Sequence, residues 1–129
     1  MAEAIRNFKD LECWKAAREV RIYVRDLITS LPRLDTYDLT DNIRLAARSI
    51  TRNISEGYGR FNFQENIQFC KVARGSLYEI WDDLITCLDE GYIQKEQLEK
   101  ATTLIEEAIR TLNGYIVYME RNKVKLTAN

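Results

Sequence analysis

The sequence predicts an all-α protein, an up-down-up-down antiparallel four-helix bundle formed by a single domain over residues 1–129. Three observations carry this expectation. Five Gly and one Pro in 129 residues are too few for the many tight turns that short strands need. Four stretches repeat apolar side chains at steps of three and four, the period of a helix with one buried face. A chain that is 46% hydrophobic and 30% charged is too apolar to stay disordered, and its length suits one core.

The first helix is expected over about 11–31, with Asp10 placed to cap its free amides. Leu11, Trp14, Ala17, Val20, Val24, Leu27, Ile28 and Leu31 make its stripe, and Pro32 ends it. After a loop over 32–38, a second helix is expected over about 39–56. Its face is Leu39, Ile43, Ala46, Ala47, Ile50 and Ile54, and Gly57 and Gly59 stop it. The third, over about 63–90, opens on the capping-box spacing of Asn62 and Glu65 and closes at Gly91. Ile67, Cys70, Ala73, Leu77, Ile80, Trp81, Leu84 and Leu88 line it. The fourth, over about 95–122, alternates steps of three and four through Leu98, Ala101, Ile105, Ala108, Leu112, Tyr115 and Met119. The tail 123–129 is expected to fray. Short connections make consecutive helices antiparallel neighbours, so four stripes can cover one another.

The net charge of −1 does not advertise a nucleic-acid binder. Its distribution is uneven, since residues 1–80 hold 13 Lys and Arg against 11 acids and residues 81–129 hold 6 against 9. Ten of those 13 are Arg, whose planar fork suits phosphate and carboxylate alike. Cys13, Cys70 and Cys87 share no short spacing, and no apolar run suggests a leader or a span. A reduced cytoplasmic protein with buried thiols and no membrane partner is expected.

Arg44, Arg48 and Arg52 stand at four-residue steps on the second helix and form a ridge that Arg60 extends. Such a ridge suits the phosphates of RNA. It equally suits a solvated or intersubunit ion-pair seam, with Arg44 on Asp41 and Arg52 on Glu56. On the first helix Lys15, Arg18, Arg21 and Arg25 are expected to form a solvated face diluted by Glu12, Glu19 and Asp26. Trp14 and Trp81 fall on apolar stripes and read as core. Glu56 and Arg74 are expected to make a structural polar pair, and Gly75 to admit a close helix. Tyr23, Phe61, Phe63, Phe69, Val72, Tyr78, Ile85, Ile109, Ile116 and Tyr118 lie outside the stripes and predict self-association.

No enzymatic constellation is complete. The chain has no His, so the commonest general base and metal ligand are missing and Ser76 has no activator. Glu79, Asp82 and Asp83 offer at most a water-mediated Mg²⁺ site, and Gly57-Tyr58-Gly59 is not a phosphate loop. A protein that is not an enzyme and has no metal or cofactor is expected.

In order along the chain stand Phe8-Lys9-Asp10-Leu11, Trp14-Lys15, Tyr37-Asp38-Leu39, Ile43-Arg44-Leu45-Ala46-Ala47-Arg48-Ser49-Ile50, Asn53-Ile54-Ser55-Glu56-Gly57-Tyr58-Gly59-Arg60, Ala73-Arg74-Gly75-Ser76-Leu77-Tyr78-Glu79 and Gly91-Tyr92-Ile93. Over residues 8–120 this series resembles the bacterial four-helix bundle proteins encoded within intervening sequences of 23S ribosomal RNA genes. The resemblance implies a homopentamer. It also implies kinship with the accessory proteins of diversity-generating retroelements, which engage RNA and a reverse transcriptase. Where the family has Pro-Ser after the Ser-Ile pair, this chain has Thr51-Arg52, which predicts a straighter second helix and a longer basic ridge. The partners expected are copies of the chain itself and RNA or a reverse-transcriptase-like nucleoprotein. The alternative is a structural or protein-interaction module that binds no nucleic acid.

Overall fold

The computed structural model describes residues 4–127, and their side chains at 4–32 and 36–123. A 3-10 turn, Phe8–Asp10, precedes four α-helices: α1 Glu12–Thr29, α2 Arg33–Tyr58, α3 Phe63–Asp89 and α4 Lys95–Thr127. No strand occurs among the described residues. The helices pack in the cycle α1, α2, α3, α4 and back to α1. Gly57 meets Asn66 and Ser49 meets Ser76 along α2 and α3, while Phe63 meets Tyr118 and Arg74 meets Asn113 along α3 and α4. Residue numbers therefore run in opposite directions across both seams.

The helical stripes close on one core. Ala17, Val20 and Val24 of α1, Ile43, Ile50 and Ile54 of α2, Leu77, Ile80 and Leu84 of α3, and Ile105, Leu112 and Met119 of α4 are almost fully buried. Each large side chain taken out of water in this way contributes on the order of 1.5–3 kcal/mol. Polar links then set the register between helices. The Asn66 amide donates to the Tyr115 hydroxyl at 2.9 Å, and the Cys70 thiol donates to Asn66 Oδ1 at 3.3 Å. Ser76 and Ser49 are joined at 2.9 Å, and Asn53 donates to Ser49 Oγ at the same distance.

Four boundaries differ from the sequence expectation. Gly57 does not stop α2, which runs through it to Tyr58 with Gly59 as its C-cap. Asp10 does not cap α1: its carboxylate accepts from the amides of Arg6 and Asn7 and closes the 3-10 turn, which pulls its pKa below the ordinary value. Leu11, with extended backbone, precedes the helix instead. The expected loop over 32–38 is absent, because α2 begins at Arg33 directly after Pro32. Proline has no amide to lose at a helix start, so it opens the second helix as well as stopping the first. At the other end α4 runs on to Thr127, which makes 123–127 of the expected tail helical; residues 128 and 129 lie outside the described residues.

The expected caps of α3 are present. Asn62 Oδ1 accepts from the Glu65 amide at 2.9 Å. Gly91, at φ +80°, lets Tyr92 N–H reach back to the Cys87 carbonyl at 2.8 Å.

The surplus apolar residues divide. Ile109 and Ile116 are buried, so α4 presents a wider stripe than its heptad seam. Val72, Tyr78, Ile85 and Tyr118 remain exposed, and Tyr78 stacks against the half-buried Trp81 with ring centres 6.1 Å apart. Trp81 therefore packs against the core, as expected, and also forms the edge of a surface strip. The space at Gly75 also corrects an expectation, since a Cβ added there meets nothing within 4 Å. The close approach expected at Gly75 occurs at Gly57, where an added Cβ would stand 2.5 Å from Asn66 Oδ1 and 3.0 Å from Phe69 Cβ.

Candidate functional site

Arginines at positions 18, 21 and 25 project from one side of α1, because steps of three and four return a side chain to the same face. Arg44, Arg48 and Arg52 do the same on α2, with each successive residue turned by roughly 40°. The bundle sets these two rows against each other across a groove of about 660 Å³. Val24, Ile28 and Ala47 contribute apolar surface, Thr51 and Ser55 hydroxyls, and Phe8 and Trp14 two aromatic rings. Among the described residues six arginines line the groove and no carboxylate does.

The arginines are held lightly. Arg21 donates to Thr51 Oγ1 at 2.6 Å, which ties the two rows together. Arg25 pairs with Asp26 at 2.9 Å, and Arg44 lies 3.8 Å from Asp41. Both pairs are solvent-exposed and worth no more than about 1 kcal/mol, so an incoming anion displaces them at little cost. Among the described residues Arg18, Arg48 and Arg52 have no carboxylate partner. Arg18 lies 5.9 Å from the centre of the Trp14 ring.

Of the four arginines picked out on the second helix, three meet in this groove and one does not. Arg60 sits past the C-terminus of α2, pairs with Glu56 at 3.5 Å and lies 5.0 Å over the Phe69 ring. That contact corrects two further expectations, since Glu56 serves neither Arg52 nor Arg74. Arg74 donates instead to Asn113 Oδ1 of α4 at 2.8 Å. Near Arg74, α3 faces α2 through Ser76, which meets Ser49, about two turns before Glu56.

The α1 row is what residue-by-residue reading missed. Its signal was present in the helical repeat: Glu12, Glu19 and Asp26 fall about a third of a turn round α1 from Arg18, Arg21 and Arg25. Lys15 lies on the acidic side, 3.4 Å from Glu12. Glu12 and Glu19 therefore do not dilute the arginines, although they alternate with them in sequence, and only Asp26 reaches a member of the row, Arg25. Trp14, expected in the core, is half-buried and opens onto the groove.

Among the described residues no three His, Cys, Asp or Glu side chains are grouped to hold a metal ion. Asp83 has its pKa raised by burial, then by Glu79 and Asp82 beside it. Burial pushes the thiols of Cys13 and Cys70 up to about 12 and that of Cys87 up to about 11. A thiol raised in this way favours the fold while it stays protonated. Its contribution is complete below the unfolded value of about 8.5 and is lost as pH climbs toward the folded values. At pH 8 an aromatic disulfide reagent should label the three thiols only on unfolding, and rapid titration of even one in native buffer would contradict this burial.

Among the described residues no helix is long and apolar enough to cross a membrane. A search of curated proteins gives no match to the chain. The family model described as 23S rRNA-intervening sequence protein matches residues 9–114, from the 3-10 turn through most of α4 and across both rows of the groove. The chain belongs to that family of 23S rRNA-intervening sequence proteins.

Proposed function

We propose that this protein is a non-enzymatic, self-assembling bundle that binds RNA, alone or in a nucleoprotein complex, through the arginine groove between α1 and α2. The observation that supports the reading is the groove itself: among the described residues it holds six guanidinium groups and no carboxylate, in a chain whose net charge is −1. Like charges three or four residues apart weaken a helix by a few tenths of a kcal/mol per pair, a cost that a polyanion in the groove removes. The family description, which refers to ribosomal RNA, agrees with this choice of ligand. The resemblance to retroelement accessory proteins, which rests on the sequence motifs alone, extends the proposal to a reverse transcriptase as protein partner.

Self-assembly rests on the strip of Tyr78, Trp81 and Ile85 on α3, which lies away from the groove. With Tyr78 52% and Ile85 40% exposed, this strip would cover apolar surface against another copy. The assembly proposed is a pentamer, with a light-scattering mass five times the 15.1 kDa of one chain.

A salt titration of RNA binding, read by fluorescence anisotropy, tests the function. Affinity should fall log-linearly with salt and collapse in the Arg44/Arg48/Arg52→Ala variant, while the assembly mass stays unchanged. The competing reading, a protein-interaction module whose arginines close subunit seams, expects the reverse: no RNA binding at low salt, and a changed mass in that variant.

A further inference from the structure

The groove has an aromatic end. Trp14 stands one turn before Arg18 on α1, and the Phe8–Asp10 turn packs on both α1 and α2. Phe8 and Trp14 meet edge to face with ring centres 5.4 Å apart, and both border the groove. Beyond them the arginines face one another three to a row, over a length of about 12 Å at 1.5 Å per residue.

We infer that the groove takes a single-stranded stretch of nucleic acid, with about three successive phosphates between the two arginine rows and one unpaired base against Trp14. This rests on the nucleic-acid reading above and specifies the strand that the site accepts. A phosphodiester chain places a base beside each phosphate, so a cationic trough that ends in an aromatic pair matches both chemical faces of one strand. In a duplex the bases are already stacked and paired, and a base reaches Trp14 only after leaving the stack. The arriving base replaces the Arg18 guanidinium at the Trp14 ring, which frees Arg18 for a phosphate.

Trp14 and Trp81 are the only tryptophans, so Trp14 is the sole indole reporter in a Trp81→Phe protein. That protein is titrated at about 0.1 M salt with a twelve-nucleotide oligouridylate, with an RNA duplex of equal length, and with a nucleoside triphosphate. The single strand should bind at least tenfold more tightly than either competitor and quench the Trp14 emission. On the wild-type background Trp14→Ala should lower single-strand affinity by about 5- to 100-fold and leave duplex affinity unchanged. Trp14→Phe, which keeps an aromatic face, should recover most of the loss and guards against a folding defect in the alanine variant.

Equal affinity for strand and duplex, binding without quenching, or a triphosphate that binds as tightly as the strand would overturn the single-strand assignment. Binding of neither RNA even at low salt removes the nucleic-acid reading, and this inference falls with it.

Discussion

Substituting alanine for Gly57 should lower the stability of the protein by about 2 kcal/mol, the usual scale for a methyl group forced into a packed seam. The added Cβ would stand 2.5 Å from Asn66 Oδ1, 3.0 Å from Phe69 Cβ and 3.2 Å from the Asn66 carbonyl. One of these three neighbours is backbone, and the Asn66 side chain is held at both ends. Its amide donates to Tyr115 and its carbonyl oxygen accepts from Cys70, so it cannot turn aside without leaving a polar group unpaired. Gly57→Ala should therefore loosen α2 from α3 and also disturb the link from α3 to α4. Thermal unfolding would read a drop of several degrees.

A double-mutant cycle with Asn66→Ala should give less than the sum of the single effects, because both changes disrupt the same seam. Additive effects would mean that Gly57 is needed for some other reason. The companion substitution Gly75→Ala, in open space within α3, should act in the opposite direction on the isolated chain. There only the helix preference of alanine over glycine operates, worth up to about 1 kcal/mol.

The second large effect concerns the α1 row. If the two rows grip one strand, Arg18/Arg21/Arg25→Ala should weaken RNA binding as severely as the matching change on α2. The slope of log affinity against log salt should fall by about 0.7 for each phosphate that is no longer neutralised, near 2 in total. At about 0.1 M salt that corresponds to a loss on the order of 100-fold. Arg110→Ala serves as control, since Arg110 is engaged by Glu107 at 2.6 Å outside the groove. Wild-type binding by the α1 variant would confine the phosphates to the α2 ridge and leave the groove without a role in RNA binding.

Gly57 and the α1 arginines both mark where sequence reading ends. The helical repeat by itself determined that there are four amphipathic helices and which side of each is apolar. That information is local, since a side chain's angle about its own axis follows from its position in the chain. The caps at Asn62 and Gly91 were legible for the same reason, and the ordered motifs were enough to indicate the family.

What the repeat does not contain is how each helix is rotated against its neighbour and at what height the two meet. Only the tertiary structure decided that Arg18, Arg21 and Arg25 face Arg44, Arg48 and Arg52, that Glu56 turns to Arg60 while Arg74 reaches Asn113, and that Gly57 rather than Gly75 is the point of close approach. Those choices depend on how four stripes of unequal side chains interlock, a property of pairs of helices that no single stretch of residues carries.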